Sequence, residues 1–278
     1  MKKINRRSFL AAAGLTAAAL ALTACGGSAS STASSTASSA ASSEAASTSA
    51  AAELTTVEAG KLTMATNAAF PPYEMTTDAG EFEGIDIDTA KAIAEKLGLE
   101  LQIDDMDFDA ALLSVQQGKA DIVMAGVTVT DERKAVMDFS DSYATGIQSI
   151  IVPEGSDITS PDDLAGKKIG TPRGTTGYIY CSDDFGDDAV VAYDDGLTAV
   201  QALNNGQVDA VVIDNAPAKE FVAANPGLVI LDTSYAEEDY AIGLAKGSAL
   251  EDAVNAALEE LKADGTLQSI VDKYITAE

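Results

Sequence analysis

The chain has 278 residues, enough for one large domain or two smaller lobes, and 44 Asp and Glu outweigh 17 Lys and Arg to give a net charge of −27. A surface this acidic repels phosphate backbones, so we expect no nucleic-acid partner. There is no histidine, which excludes Ser-His-Asp catalysis and histidine-ligated zinc. The two cysteines, Cys25 and Cys181, lack the spacing of a redox pair or a zinc knuckle. We therefore expect neither a metal ion nor another cofactor.

The first 25 residues are predicted to be an export signal. A basic start precedes an apolar run over residues 10–24, which is shorter than the roughly 20 residues of a membrane-spanning helix. The run ends in Leu-Thr-Ala-Cys-Gly, which resembles the lipobox of bacterial lipoproteins, where the cysteine is acylated. A chance cysteine closing an ordinary secretory signal is the alternative, and the pair Arg6-Arg7 leaves both Sec and twin-arginine export open. We predict a lipid anchor at Cys25 on the extracytoplasmic face of the cell membrane.

A flexible tether is predicted over residues 26–53. From residue 28 onward every position is Ser, Ala or Thr except Glu44 and Glu53, so the segment has no side chains that could form a core. Its alanine content would suit a long helix, but the many Ser and Thr residues compete with helical hydrogen bonds. The folded part therefore begins near Leu54, with 13 Lys and Arg against 42 Asp and Glu.

From Leu54 onward the sequence alternates short apolar strands with amphipathic helices. The predicted strands cover residues 61–66, 99–103, 121–124, 167–171, 209–213 and 228–231, with a loop over residues 67–73. The predicted helices cover residues 86–97, 107–117, 197–205, 215–224, 250–262 and 267–274, and a further helix follows a turn at residues 174–177. Strands separated by helices of about ten residues predict parallel sheets with helices on both faces.

Two segments repeat one pattern of a helix end, a glycine, an aspartate and a buried strand. They are residues 116–123 (QQGKADIV) and residues 204–211 (NNGQVDAV). The pattern is typical of any helix-to-strand loop, and also of two lobes with similar topology. We predict an α/β protein with residues 54–146 and 240–278 in lobe 1, residues 147–239 in lobe 2, and the ligand between them.

Five segments, in order, carry a family resemblance. They are residues 84–88 (GIDID), 126–133 (GVTVTDER), 138–140 (DFS), 174–177 (GTTG) and 208–214 (VDAVVID). Together they resemble family 3 of the bacterial extracellular solute-binding proteins, the amino-acid receptors of ABC importers. The resemblance implies a periplasmic-binding-protein-like type II fold, with two doubly wound sheets joined by a hinge of two crossovers. It also implies a lipid-anchored, monomeric receptor that binds a free amino acid and delivers it to an ABC permease.

The resemblance assigns the two charged groups of an amino acid to Arg133 and Asp214. A carboxylate needs a planar, bidentate donor, and the family arginine at the position of Arg133 supplies it. The family carboxylate at the position of Asp214 binds the α-ammonium. As alternatives, Arg133 could form a surface ion pair with Asp131 or Glu132. Asp214 could cap the helix that begins at Asn215, which is compatible with binding.

Five further positions match family contacts. Gly126 and Thr128 would offer a carbonyl and a hydroxyl or N–H group, and Thr176 lies in a glycine-rich turn whose N–H groups favour a carboxylate. Phe70 and Phe108 match the aromatic pair that encloses the ligand side chain, although Phe108, at the start of an amphipathic helix, also fits a core position.

The position of Asn67 bears on the ligand class. In the family, receptors for cationic ligands, and some for glutamine, carry Asp there. Asn supplies no charge, so we expect a neutral or polar amino acid. No role is assigned to Cys181 or Arg173.

Two functions other than an amino-acid receptor are alternatives for this sequence. Cyclohexadienyl dehydratases share this scaffold, but such an enzyme needs a buried general acid, and zwitterion binding already accounts for Arg133 and Asp214. A sensory module would continue into membrane-spanning segments, whereas this sequence ends at Glu278. We therefore expect a binding protein without enzymatic activity.

Overall fold

The fold is known from a computed structural model that describes residues 54–275. The predicted export signal, Cys25 and the predicted tether lie outside the described residues, as do residues 276–278. Within the described part, no helix combines the length and the apolar character needed to cross a bilayer.

Short strands alternate with helices along the described chain. The strands are β1 (Lys61–Thr66), β2 (Ala69–Phe70), β3 (Glu74–Thr76), β4 (Phe82–Glu83), β5 (Glu100–Asp105), β6 (Ile122–Val123), β7 (Met137–Phe139), β8 (Ala144–Pro153), β9 (Ile169–Pro172), β10 (Val190–Tyr193), β11 (Ala210–Asp214), β12 (Leu228–Ile230), β13 (Ala236–Tyr240) and β14 (Gly243–Ala245). The helices are α1 (Ile85–Leu97), α2 (Phe108–Gln116), α3 (Asp131–Lys134), α4 (Thr176–Phe185), α5 (Gly196–Asn204), α6 (Asn215–Ala224), α7 (Glu251–Ala263) and α8 (Thr266–Tyr274). Two short 3-10 helices cover Pro161–Leu164 and Asp187–Ala189.

Lobe 1 is built on a five-stranded sheet in the spatial order β5-β1-β6-β14-β7. Strand β1 is parallel to β5 and β6, while β14 is antiparallel to β6 and β7. Its main core packs Leu62 and Met64 of β1 against Ile87 and Ile93 of α1 and Leu258 of α7, all fully buried. Because β14 and α7 come from the end of the chain, lobe 1 is discontinuous in sequence.

Lobe 2 is built on a second sheet in the order β10-β9-β11-β8-β12, with β13 also pairing with β8. Strand β9 is parallel to β10 and β11, but β8 is antiparallel to β11, β12 and β13. The prediction of parallel sheets is therefore right for the strand-helix-strand units and wrong for the strands that adjoin the crossings. The reason is that β8 enters the sheet directly from the other lobe, without a helical crossover to reverse its direction.

Strands β8 and β13 carry the chain between the two sheets. They pair antiparallel, with Gly146 opposite Glu238 and Ala144 opposite Tyr240. The chain before β8 and after β13 belongs to the first sheet. The lobe boundaries at 146/147 and 239/240 stay predictions that agree with this path.

The repeated sequence pattern has the same structure in both lobes. Gly118 and Gly206 adopt φ values of 65° and 67°, in the left-handed region that favours glycine. The Asp121 carboxylate then accepts the N–H of Thr63 at 2.8 Å, and the Asp209 carboxylate accepts the N–H of Lys168 at 2.8 Å. Asp121 thus connects the start of β6 to β1, and Asp209 connects the start of β11 to the start of β9.

The predicted loop at residues 67–73 is only partly a loop. It contains β2, which forms a small three-stranded sheet with β3 and β4. Strands of two or three residues give no periodic signal in a sequence, which explains why the pattern did not indicate them. The helix α1 ends at Leu97 as predicted, and Gly98 caps it with φ 69°.

Candidate functional site

A cavity lies between the two lobes and is lined by all eight residues predicted to bind a ligand. It encloses about 460 Å³ of empty space, its open mouth included. Lobe 1 and lobe 2 both contribute, and the predicted residues among its lining are Asn67, Phe70, Phe108, Gly126, Thr128, Arg133, Thr176 and Asp214. The structure brings these residues together, and their roles as ligand contacts stay predictions.

Arg133 lies on the short helix α3 and is 8 % exposed. Its Nη1 donates to the carbonyl of Thr128 at 2.8 Å, and its Nη2 donates to the carbonyl of Gly174 in the other lobe at 3.1 Å. The guanidinium carbon lies 5.3 Å from the centre of the Phe108 ring. Burial lowers the pKa of Arg133, and the nearby carboxylate of Glu238 opposes that shift. The side chain thus points into the cleft and not toward Asp131 or Glu132.

Asp214 ends β11 and occupies the N-cap position of α6, but its side chain makes no capping hydrogen bond. One carboxyl oxygen accepts the hydroxyl of Tyr240, and the other accepts Nε2 of Gln148 at 2.7 Å. Burial raises the pKa of Asp214 to about 7, against the effect of the hydrogen bond from Tyr240, and the charge of Glu238 raises it further. A cation in the cavity would favour the ionised form.

Glu238 of β13 contacts residues of both lobes, and no sequence motif indicated it. Its Oε2 accepts the Thr128 hydroxyl at 3.2 Å from lobe 1 and the Thr176 hydroxyl at 2.9 Å from lobe 2. The same oxygen accepts Nε2 of Gln148 at 3.1 Å. Glu238 is one of many acidic residues in this chain, so nothing in its sequence context distinguished it.

Glu74 is a second residue of the site that no sequence motif indicated. It lines the cavity and its side chain is fully buried. Burial, the nearby charge of Asp86 and a side-chain hydrogen bond with Asp86 raise its pKa well above the usual range. The neutral form of this carboxyl can donate to Asp86, while a cation in the cavity would favour its ionised form.

Asp86 does not line the cavity in the described part of the chain, but it holds the backbone of Gly126, which does. Its carboxylate accepts the Gly126 N–H at 3.0 Å, and burial raises its pKa to about 6. Gly126 itself has φ 55°, and a Cβ there would lie 2.9 Å from the ring of Phe70. The segment GIDID thus supplies a residue that orients a predicted contact.

The aromatic and amide residues complete the lining. Phe70 stacks on Tyr73 with ring centres 6.0 Å apart, and Phe108 is half-buried at the start of α2. The Nδ2 of Asn67 donates to the carbonyl of Met106 at 3.0 Å, so part of that amide is already engaged. Among the described residues, no cluster of Cys, Asp and Glu has an arrangement suited to a metal ion.

Comparison with known proteins places this geometry in context. The sequence profile of the bacterial extracellular solute-binding proteins, family 3, matches residues 62–277. A probable histidine-binding protein of Neisseria gonorrhoeae is 32 % identical, over 99 % of this chain and 98 % of that protein. The structure of the arginine-, lysine-, histidine-binding protein ArtJ from Geobacillus stearothermophilus is similar at a TM-score of 0.75 and 34 % identity, covering 78 % of this chain and 96 % of ArtJ. An ancestral arginine-binding protein bound to glutamine has a TM-score of 0.75 and 42 % identity, covering 78 % of this chain and 99 % of that one.

Proposed function

This chain belongs to family 3 of the bacterial extracellular solute-binding proteins, and on that basis we propose that it binds one free α-amino acid between its lobes and delivers it to an ABC importer. The type II fold predicted from the sequence is confirmed by the similar solved structures. The observation that carries the proposal is the placing of Arg133 and Asp214, of opposite charge and from different lobes, on one cavity. A zwitterion presents the two charges that these side chains complement.

The carboxylate of the amino acid binds Arg133 in this proposal. Two guanidinium N–H groups are engaged with the carbonyls of Thr128 and Gly174, which fixes the plane of the group and leaves its other N–H donors for a ligand. Thr176 begins α4, so the N–H groups of the first turn add donors from the second lobe.

The ammonium group binds Asp214. Tyr240 and Gln148 hold the Asp214 carboxyl in place from behind, and the carbonyl of Gly126 offers a second acceptor on the opposite wall. Because the carboxylate and the ammonium share one Cα, both contacts form only when the lobes are closed. The hydrogen bond from Arg133 to Gly174 crosses between the lobes and supports a closed arrangement.

The side chain of the ligand faces Phe70, Phe108 and Glu74. Asn67 alone favours a neutral or polar amino acid, but the buried carboxyl of Glu74 on the cavity wall is an acceptor that favours a side chain with hydrogen-bond donors. A cationic side chain would supply donors and also stabilise the ionised carboxyl, so we place cationic amino acids first and amides second. The similarity to proteins named for histidine and arginine supports this order.

The sequence and the family support a proposal for the membrane anchor and the transport partner. We propose that Cys25 is acylated, that residues 26–53 tether the binding part to the extracytoplasmic face of the membrane, and that the protein works as a monomer with an ABC permease. Incorporation of labelled fatty acid into the wild type but not into Cys25→Ser supports the anchor, and equal labelling refutes it.

The experiment for the binding function is a thermal-shift screen of the chain against the twenty amino acids, cystine and prephenate, followed by titration calorimetry. One or a few amino acids should raise the melting temperature, because a ligand that binds only the folded state stabilises it. Glu74→Gln should then weaken the binding of arginine more than the binding of glutamine. A screen in which no amino acid stabilises the chain refutes the proposal, and consumption of prephenate would establish the dehydratase alternative.

A further inference from the structure

We propose that Glu238 is a positioning residue that holds the cleft closed by binding hydroxyl groups of opposite lobes, without contacting the ligand. This inference rests on the proposed function for its consequence in binding, but its first test needs no ligand.

The geometry of the Glu238 carboxylate carries the argument. Three donors converge on its Oε2, at 3.2 Å from Thr128, 2.9 Å from Thr176 and 3.1 Å from Gln148. Thr128 belongs to the segment that follows β6 in lobe 1, and Thr176 begins α4 in lobe 2. Their two hydroxyl oxygens lie 3.4 Å apart, so one carboxylate oxygen bridges the walls of the cleft.

The position of Glu238 on the chain suits this role. It lies on β13, opposite Gly146 of β8, and these two strands carry the chain between the lobes. Its side chain is 7 % exposed, and it is not among the described residues that line the cavity. Because β13 pairs in the sheet of lobe 2, Glu238 stays with Thr176, and its hydrogen bond from Thr128 is the contact that crosses to lobe 1. Opening of the cleft would separate at least one threonine from the carboxylate.

Charge also favours the closed arrangement. Three donors and the nearby guanidinium of Arg133 surround the carboxylate in the closed cleft. Hydrogen bonds to an ionised acceptor are stronger than those to a neutral one, so Gln at this position would be a weaker bridge of the same shape. The two threonines would then be less well held, and with them the backbone N–H groups that face the ligand carboxylate.

The first experiment measures lobe closure without ligand. Cysteines for a fluorescent donor and acceptor replace Gln116 of α2 and Gln201 of α5, both exposed and on different lobes, in a Cys25→Ser background in which Cys181 is buried. Glu238→Gln should shift the distance distribution toward longer distances. The matched control is Glu237→Gln, the same change at the exposed neighbour on the same strand, which should match the parent chain.

Further variants separate positioning from general stability. Thr128→Val removes the donor from lobe 1 and should also lengthen the distance. The double variant Glu238→Gln/Thr128→Val should lengthen it by less than the sum of the two single changes, because both act on one bridge. The amino acid found by the screen should bind Glu238→Gln at least about tenfold more weakly than Glu237→Gln.

An unchanged distance distribution in folded Glu238→Gln overturns the proposal. If that variant does not fold, an unchanged distribution in Thr128→Val overturns it instead. Failure of every amino acid to bind would refute the proposed function and leave the distance measurement valid, so the two failures are distinguishable.

Discussion

At the scale of single residues, the site depends on charged groups that are buried in the cleft. Arg133 and Asp214 are 8 % and 7 % exposed, and each is held by hydrogen bonds to neighbours in the cleft. A preorganised charge loses little further freedom when a ligand binds, which raises affinity. Removing one member of such a pair leaves the opposite charge of the ligand without a partner.

Arg133→Ala should therefore weaken binding of the amino acid by about 30-fold or more, since loss of a desolvated charge partner costs about 2–5 kcal/mol. Arg133→Lys should also bind poorly, because an ammonium group cannot form the planar fork. Titration calorimetry measures both. Arg173→Ala is the matched control, since Arg173 is the other arginine of the described part and its side chain is 57 % exposed. Affinity of either Arg133 variant within threefold of the wild type would remove Arg133 from the site.

At the scale of elements, an aspartate in the loop between a helix and a buried strand accepts backbone N–H groups in both lobes. Asp121 is buried and accepts two backbone N–H groups, from Val57 at 2.7 Å and from Thr63 at 2.8 Å. Asp209 is exposed and accepts one, from Lys168. The difference in burial and in the number of donors predicts unequal contributions to stability.

Asp121→Ala should lower the free energy of unfolding by about 3 kcal/mol, and Asp209→Ala by about 1 kcal/mol, because the first change leaves one buried and one partly buried N–H group without an acceptor. Urea denaturation followed by circular dichroism gives both values. Asp209→Ala serves as the control for the loss of one acidic side chain from the same motif. Equal effects of the two substitutions would show that burial does not distinguish them.

At the scale of the whole molecule, several buried carboxyl groups are harder to ionise in the folded chain than in the unfolded one. Burial raises the pKa of Asp214 to about 7 and that of Asp86 to about 6, and raises that of Glu74 well above its usual range. The folded state therefore binds more protons than the unfolded state between about pH 4 and pH 7. Linkage then requires stability to increase as the pH falls through this window.

The melting temperature of the unliganded chain should thus rise by several degrees from pH 7.5 to pH 5, measured by calorimetry. The net charge of −27 acts in the same direction, because acid reduces self-repulsion. Below about pH 4 the trend should reverse, as groups with lowered pKa values such as Asp88 and Asp138 lose their partners. Asp214→Asn should flatten the rise between pH 5 and pH 7.5. A melting temperature that falls on acidification from pH 7.5 to pH 5 contradicts the expectation.

Within residues 54–275, the sequence predicted every α-helix except α3 and every parallel strand except β10, and the family resemblance indicated eight of the residues that line the cavity. Apolar spacing and capping residues are local, so α6 and β1 were predicted over the same residues that the structure assigns. Arg133 and Thr128 belong to one short motif, residues 126–133, so the sequence already indicates that they lie close together.

Only the tertiary structure identified Glu238, Glu74 and the antiparallel strands at the crossing. Glu238 meets Thr128 and Thr176 across 110 and 62 residues of sequence, and no local pattern reports such a distance. Glu74 resembles the other acidic residues of this chain in sequence, and only the fold buries its carboxyl beside that of Asp86. The physical reason is the same for both residues. Desolvation and convergence of donors depend on which distant segments pack together, and that is set by the fold as a whole.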